Sequence, residues 1–314
     1  MYRAGIDLGG TNIKVGIVDE KQQILLADAI PTNAKRHYTE IAKDMANLVK
    51  DLLERLNLRE EALSGVGIGS PGTVDAKNGI VVFSNNIVWE NVPLAEEVGR
   101  YFSCPIKISN DANCAALGEV MAGAAKEYKN AILLTLGTGV GGGIVLDGSV
   151  FEGAHAGGAE LGHTNLIFGG EACTCGRKGC VEAYVSATAL IRDAKRAAEK
   201  YPLSLLNTLC EGELENMNGK IPFDAAKAGD LAAKEVVENY IMYLGEAITD
   251  VVNIFRPDVV LLSGGVCNQK ENLTEPVNAY IRKKCFAGEK AFIPLVKCAE
   301  LGNDAGIIGA ANLL

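Results

Sequence analysis

Residues 6–19 read Ile6-Asp7-Leu8-Gly9-Gly10-Thr11-Asn12-Ile13-Lys14-Val15-Gly16-Ile17-Val18-Asp19. Laid beneath them, residues 134–147 read Leu134-Thr135-Leu136-Gly137-Thr138-Gly139-Val140-Gly141-Gly142-Gly143-Ile144-Val145-Leu146-Asp147. Each copy is an apolar run, a glycine-rich turn, a second apolar run and an acidic turn residue, which predicts strand–turn–strand. A unit repeated after about 130 residues points to a duplicated α/β fold with two similar lobes facing across a cleft. These turns are not Rossmann or Walker loops, which join a strand to a helix. A tight glycine turn still presents backbone N–H groups that can hold phosphate oxygens, and Thr11 and Thr138 add hydroxyl donors. One such hairpin alone reads as a plain turn. Two matched hairpins, with a third glycine pair (Gly264-Gly265) after the apolar run 258–262, read as a phosphate cradle.

Working outward, Asp7 sits in an apolar strand directly before the first turn. A carboxylate there needs a charged partner, and a Mg²⁺–phosphate ion is one. Residues 23–30 predict a third strand, and 39–58 a helix, with Ile41, Met45, Leu48, Leu52 and Leu56 on one face. Residues 64–69 and 106–108 predict short buried strands. Asn110-Asp111 opens an Ala-rich helix, where either residue suits an N-cap. Residues 302–314 predict a Gly/Ala-rich terminal helix that docks back on the first lobe. The lobes are then 1–110 with 302–314, and 111–301.

The chain of 314 residues is 48% hydrophobic and 22% charged, ordinary for a globular protein with two cores. A net charge of −9 and few aromatics argue against a nucleic-acid partner. No apolar run approaches a membrane span, and the first residues carry no signal-peptide pattern, so a cytoplasmic protein is expected.

Three of the nine cysteines fall with a histidine in one Gly-rich stretch: His163, Cys173, Cys175 and Cys180. One imidazole and three thiols make the ligand set of a closed, structural Zn²⁺ site. Gly176 and Gly179 let the backbone curl so that the sulfurs converge. Glu160 and Glu182 frame the stretch, so a metal there would fix a loop that carries carboxylates. The other six cysteines are scattered and read as reduced thiols.

Asp7-Leu-Gly-Gly-Thr11, Gly157-Gly-Ala-Glu160-Leu-Gly-His163, Cys173-x-Cys175-Gly-x-x-Gly-Cys180-x-Glu182 and Leu262-Ser-Gly-Gly265 together resemble the ROK family of repressors, open reading frames and sugar kinases. The resemblance covers essentially the whole chain and is greatest to the ATP-dependent bacterial glucokinases. It implies the duplicated actin-like/hexokinase-like (ribonuclease H-like) ATPase fold and phosphorylation of glucose at the 6-hydroxyl. Asp111 matches the catalytic base. Asn86, Asn110, Asp111, Glu160, His163 and Glu182 match sugar-binding positions. Asp7, Gly9, Gly10, Thr11, Gly137, Thr138, Gly139, Gly264 and Gly265 match the ATP site. ATP, Mg²⁺ and structural Zn²⁺ are the implied cofactors, and a homodimer or homotetramer the implied assembly.

The chemistry agrees with that resemblance. Phosphoryl transfer has a loose transition state, so positioning and charge neutralisation do most of the catalysis, in a cleft that closes to exclude water. The competing readings are a kinase for N-acetylmannosamine, N-acetylglucosamine, allose or fructose, a sugar-sensing repressor, and a zinc hydrolase. A repressor of this family carries a helix-turn-helix before the first glycine motif, for which Asp7 leaves no room. A hydrolytic zinc keeps a position open for water, whereas four protein ligands close the sphere. Because the glycine turns lie far from the cysteines in sequence, loss of zinc is expected to weaken sugar binding more than ATP binding.

Overall fold

The computed structural model describes residues 1–314. In chain order the strands are β1 (Tyr2–Leu8), β2 (Asn12–Val18), β3 (Ile24–Pro31), β4 (Leu63–Ser70), β5 (Thr73–Asp75), β6 (Ile80–Ser84), β7 (Trp89–Val92), β8 (Ile106–Asn110), β9 (Ala131–Leu136), β10 (Val140–Leu146), β11 (Ser149–Val150), β12 (Val259–Ser263) and β13 (Leu295–Cys298). The helices are α1 (Tyr38–Arg55), α2 (Leu94–Gly99), α3 (Asp111–Ala122), α4 (Glu182–Val185), α5 (Ala187–Lys200), α6 (Leu205–Leu209), α7 (Ile221–Lys227), α8 (Leu231–Phe255), α9 (Glu271–Lys284) and α10 (Asp304–Ala311).

Two five-stranded sheets share one topology. The first runs β3-β2-β1-β4-β8 and the second β11-β10-β9-β12-β13. Counted within its own half, each reads third-second-first-fourth-fifth, so the repeat seen in two hairpins extends to whole sheets. The pairs β2/β3 and β10/β11 are antiparallel, whereas β4/β8 and β12/β13 are parallel. Strands β5-β6-β7 form a separate antiparallel sheet that the sequence patterning did not predict. They are too short to show a clear alternation.

By packing, the chain forms two compact units. One comprises Met1–Leu133, Gly143–Ala159 and Ala299–Leu314; the other comprises Leu134–Gly142 and Glu160–Cys298. The lobes read from the repeat divide the chain by duplication instead, and the two divisions differ over residues 111–133, 143–159 and 299–301. Helix α3 belongs to the first unit because α10 packs along it while also lying on β1 and β4. The terminal helix therefore docks where its composition predicts, burying Ala305, Ile307, Ile308, Ala310 and Ala311.

In the first unit, Ile41, Met45, Leu48 and Leu52 of α1 join Ile6, Leu8 and Ile68 in one buried cluster. Each such side chain contributes about 1.5–3 kcal/mol when fully buried. Leu56, assigned to the same helical face by its spacing, is the C-cap and packs, partly buried, against that cluster. In the second unit the 25-residue helix α8 packs against α5, α7 and α9. Residues Val259–Leu262 of β12 are all buried, the continuous apolar run expected of a strand covered on both faces. No helix is long and apolar enough to cross a membrane.

Candidate active site

The first unit carries the first glycine turn, Asp7, Asn86, Asn110 and Asp111. The Gly9 N–H donates to the Asn12 carbonyl (2.9 Å), closing the turn. Thr32, fully buried, donates its Oγ1 hydroxyl to the Gly9 carbonyl (2.6 Å) and its N–H to the Thr11 carbonyl (2.8 Å). Nothing in the sequence singled out Thr32 as the brace of this turn.

Asp7 stands opposite Lys14 in the β1–β2 register, with Nζ 3.4 Å from Oδ2. Lys14 is the charged partner that a carboxylate in an apolar strand needs. Burial pushes the Asp7 carboxyl above its ordinary range, and the charge and hydrogen bond of Lys14 pull it part of the way back. A folded-state pKa raised above the unfolded value favours the fold at low pH, and that contribution is lost as pH rises through the folded pKa. Lys14→Met removes the opposing cause, so Asp7 should hold its proton to higher pH. The acid limb of the pH profile of kcat/KM for ATP is expected to move upward. An unmoved limb would take Asp7 out of the nucleotide site.

Asn86 is exposed in the turn between β6 and β7, and its backbone carbonyl lies directly against Gly10. Two residues on, Val88 has φ +52°, a conformation β-branched residues rarely adopt. Such backbone costs about 1–3 kcal/mol and concentrates at functional loops. Trp89 next to it is buried.

Asn110 and Asp111 divide the work at the start of α3. Asn110 is the N-cap: its Oδ1 accepts the N–H groups of Ala112 (2.9 Å) and Asn113 (3.3 Å), and its Nδ2 donates to the Gly72 carbonyl (2.9 Å). That leaves Asn110 one amide N–H for a ligand. Asp111 follows as the first helical residue, and its Oδ1 accepts the Ala112 N–H at 2.9 Å. The helix N-terminus favours negative charge there. The capping that the sequence could have assigned to either residue is thus done by Asn110.

In the second unit, the Gly137 N–H donates to the Gly139 carbonyl (3.1 Å) to close the other turn. The start of α5 holds it: the Ala187 N–H donates to the Gly137 carbonyl (2.9 Å) and the Thr188 hydroxyl to the Thr138 carbonyl (2.9 Å). Gly264 and Gly265 follow β12, and Gly264, at φ +98°, packs against Leu136 at the head of that same turn.

The cysteine loop converges as its composition predicts. Gly176 and Gly179 both have positive φ. The ligand atoms of His163, Cys173, Cys175 and Cys180 all lie within 4.8 Å of one another. The Cys175 and Cys180 sulfurs are 3.7 Å apart, and Cys173 Sγ is 3.6 Å from His163 Nδ1. A tetrahedron with Zn–S about 2.3 Å and Zn–N about 2.0 Å has S–S edges of about 3.8 Å and S–N edges of about 3.5 Å. The two close separations match such edges, so the donor set fits a zinc ion. Nδ1 is the nitrogen on the sulfur side, which leaves Nε2 to face a ligand.

Glu182 joins this loop to the second glycine turn. Its Oε1 accepts the Thr174 hydroxyl (2.6 Å) and its Oε2 accepts the Val140 N–H (3.1 Å). The carboxylate lies so close to Gly139 that a side chain there would have to push it aside. The distance in sequence between turn and loop is therefore bridged by one side chain, and the expectation that zinc affects ATP binding least loses its premise. Glu160 is exposed, follows Ala159 at φ +66°, and opens the short turn Leu161–His163 with its carbonyl accepting the His163 N–H (3.0 Å).

Two sheets of one topology, each opening on a glycine hairpin, define the duplicated actin-like/hexokinase-like ATPase fold. Within it, the chain belongs to the ROK family, whose sequence model matches residues 3–314. Glucokinase of Thermotoga maritima is 38% identical over 320 residues, covering 99% of this chain and 96% of its own. The solved structure of a ROK family glucokinase from Streptomyces griseus, in complex with glucose and AMPPNP, is 34% identical with a TM-score of 0.80, covering 100% of this chain and 99% of its own. The xylose repressor of Bacillus spizizenii is 26% identical and aligns with 100% of this chain but 77% of its own.

Proposed function

We propose that this chain transfers the γ-phosphoryl group of ATP to the 6-hydroxyl of glucose. The similarity to two glucokinases across nearly the whole chain supports an ATP-dependent hexose kinase. The observation that carries the mechanism is the division of labour at the start of α3. Asn110 caps the helix, so the Asp111 carboxylate is not needed as its cap. Asp111 accepts the proton of the sugar hydroxyl as the O–P bond forms. Asn86, Glu160, Glu182 and the Nε2 of His163 hydrogen-bond the other hydroxyls. A carboxylate oxygen has two acceptor sites, so Glu182 can take a hydroxyl while keeping Thr174 and Val140.

ATP is held by the backbone of the Gly9–Thr11 and Gly137–Gly139 turns and by Gly264-Gly265. Asp7 supplies a carboxylate beside the first turn, a hard oxygen donor suited to Mg²⁺ or its bound water. When bound, Mg²⁺ neutralises charge on the phosphates. One Zn²⁺ on His163, Cys173, Cys175 and Cys180 is structural, because four protein ligands close its sphere.

A coupled ADP-release assay across hexoses and N-acetylhexosamines tests the substrate. Glucose is expected to give the highest kcat/KM. A much higher value for N-acetylmannosamine or allose would move the assignment to another sugar within the same kinase class.

A further inference from the structure

Two of the cysteines outside the metal loop meet beside the Gly264-Gly265 turn of the candidate ATP site. Cys267 lies in the short helical turn Gly265–Gln269, and Cys298 ends β13. The strand register pairs Cys298 with Leu262, two residues before Gly264. The Cys298 thiol lies 3.6 Å from the Cys267 carbonyl oxygen, and the two thiols are within hydrogen-bonding reach of each other. Both residues are only partly buried. The Cys267 N–H donates to the Gly264 carbonyl at 3.0 Å, so this residue closes the turn that packs on Leu136.

We propose that Cys267 and Cys298 form a peroxide-sensitive thiol pair whose disulfide distorts the Gly264-Gly265 turn and weakens nucleotide binding. The Cys298 thiolate attacks hydrogen peroxide; the O–O bond breaks, and with one proton taken up the products are a sulfenic acid and water. The Cys267 thiol then displaces that hydroxyl, forming the S–S bond and a second water. In sum, two thiols lose two hydrogens and one peroxide becomes two waters. The asymmetry of the pair sets the roles: the hydrogen bond from Cys267 holds the Cys298 thiol down to about 7, while that same contact and burial push the Cys267 thiol up. Glu271 opposes and Lys270 assists ionisation of Cys298. The more readily ionised and partly accessible thiol of a pair is the one that peroxide reaches first.

The effect on nucleotide rests on the reading of Gly264-Gly265 as part of the ATP site, whereas the cross-link does not. The full-length, zinc-loaded protein is treated with stoichiometric hydrogen peroxide, then analysed by peptide mass mapping, direct ATP binding and zinc release to a chromogenic chelator. The expected result is a peptide pair joined through Cys267 and Cys298, a several-fold rise in the ATP dissociation constant, recovery with dithiothreitol, and zinc retained. Cys298→Ser and Cys267→Ser should each bind ATP like the untreated parent and lose the response. Unlinked thiols after treatment would overturn the proposal. So would a link that leaves ATP affinity unchanged, or an inhibition that persists in Cys298→Ser and tracks zinc release. A protein that never binds ATP would instead refute the nucleotide site, with the linked peptide still reporting the pair.

Discussion

Asp111→Asn is expected to lower kcat by about 10²–10⁴-fold, the usual cost of removing a general base. Asparagine keeps the size and one acceptor oxygen, so the hydrogen bond from the Ala112 N–H is retained. The cap itself is untouched, because Asn110 provides it through Ala112 and Asn113. Thermal stability and glucose binding should therefore change little while turnover collapses. A cap of this kind is worth about 1 kcal/mol, so Asn110→Ala should behave in the opposite sense, losing stability first. An Asp111→Asn enzyme that keeps more than about half of the parent kcat, far outside the range for general-base loss, would remove Asp111 from the role of base.

The second large effect concerns the metal. Cys180 is buried at the centre of the cysteine loop and Cys175 is exposed at its edge, with their sulfurs in contact. Serine at either position should take zinc well below one ion per chain. Structural zinc binding is coupled to folding, so the loss should be on the order of several kcal/mol in stability. The Thr174–Glu182–Val140 connection then carries the damage further. With the loop released, Glu182 loses its contacts to Cys173 and Thr174 and keeps only the one to Val140, so the turn at Gly137–Gly139 loses the carboxylate that sets its position. The KM values for glucose and for ATP are both expected to rise in Cys175→Ser. Elemental analysis of protein purified without added metal, followed by kinetics after chelation, is the check. Zinc well below one per chain in the parent, with both KM values intact after chelation, would remove the structural role.

The parts of this molecule that were legible in sequence are those whose signal is local. The two glycine hairpins, the α1 stripe of Ile41, Met45, Leu48 and Leu52, and the convergence of His163 with three cysteines each follow from spacing within one segment. The short strands β5–β7 escaped because three to five residues carry no clear period. The bracing of the site escaped for a different reason. Lys14 finds Asp7 only through strand register, Thr32 reaches back across the end of β3, and Glu182 spans 42 residues to Val140. Glu119 is the extreme case: it is fully buried and accepts the N–H groups of Ala124 (2.8 Å) and Leu301 (2.8 Å), the latter 182 residues away. A lone glutamate in an Ala-rich helix gives no hint of such partners. Pairings of this kind are set by tertiary packing, to which neither hydrophobic period nor residue preference is sensitive.

The proposed reaction is phosphorylation of glucose at O6 by ATP, with Asp111 as base. Identifying the product made by the purified, zinc-loaded protein from glucose and Mg-ATP tests it most directly, with Asp111→Asn run alongside. The expected result is glucose 6-phosphate, one ADP released per sugar phosphorylated, and a nearly silent variant. ADP release without a phosphorylated sugar, phosphate on another hydroxyl, or a variant as fast as the parent would contradict it.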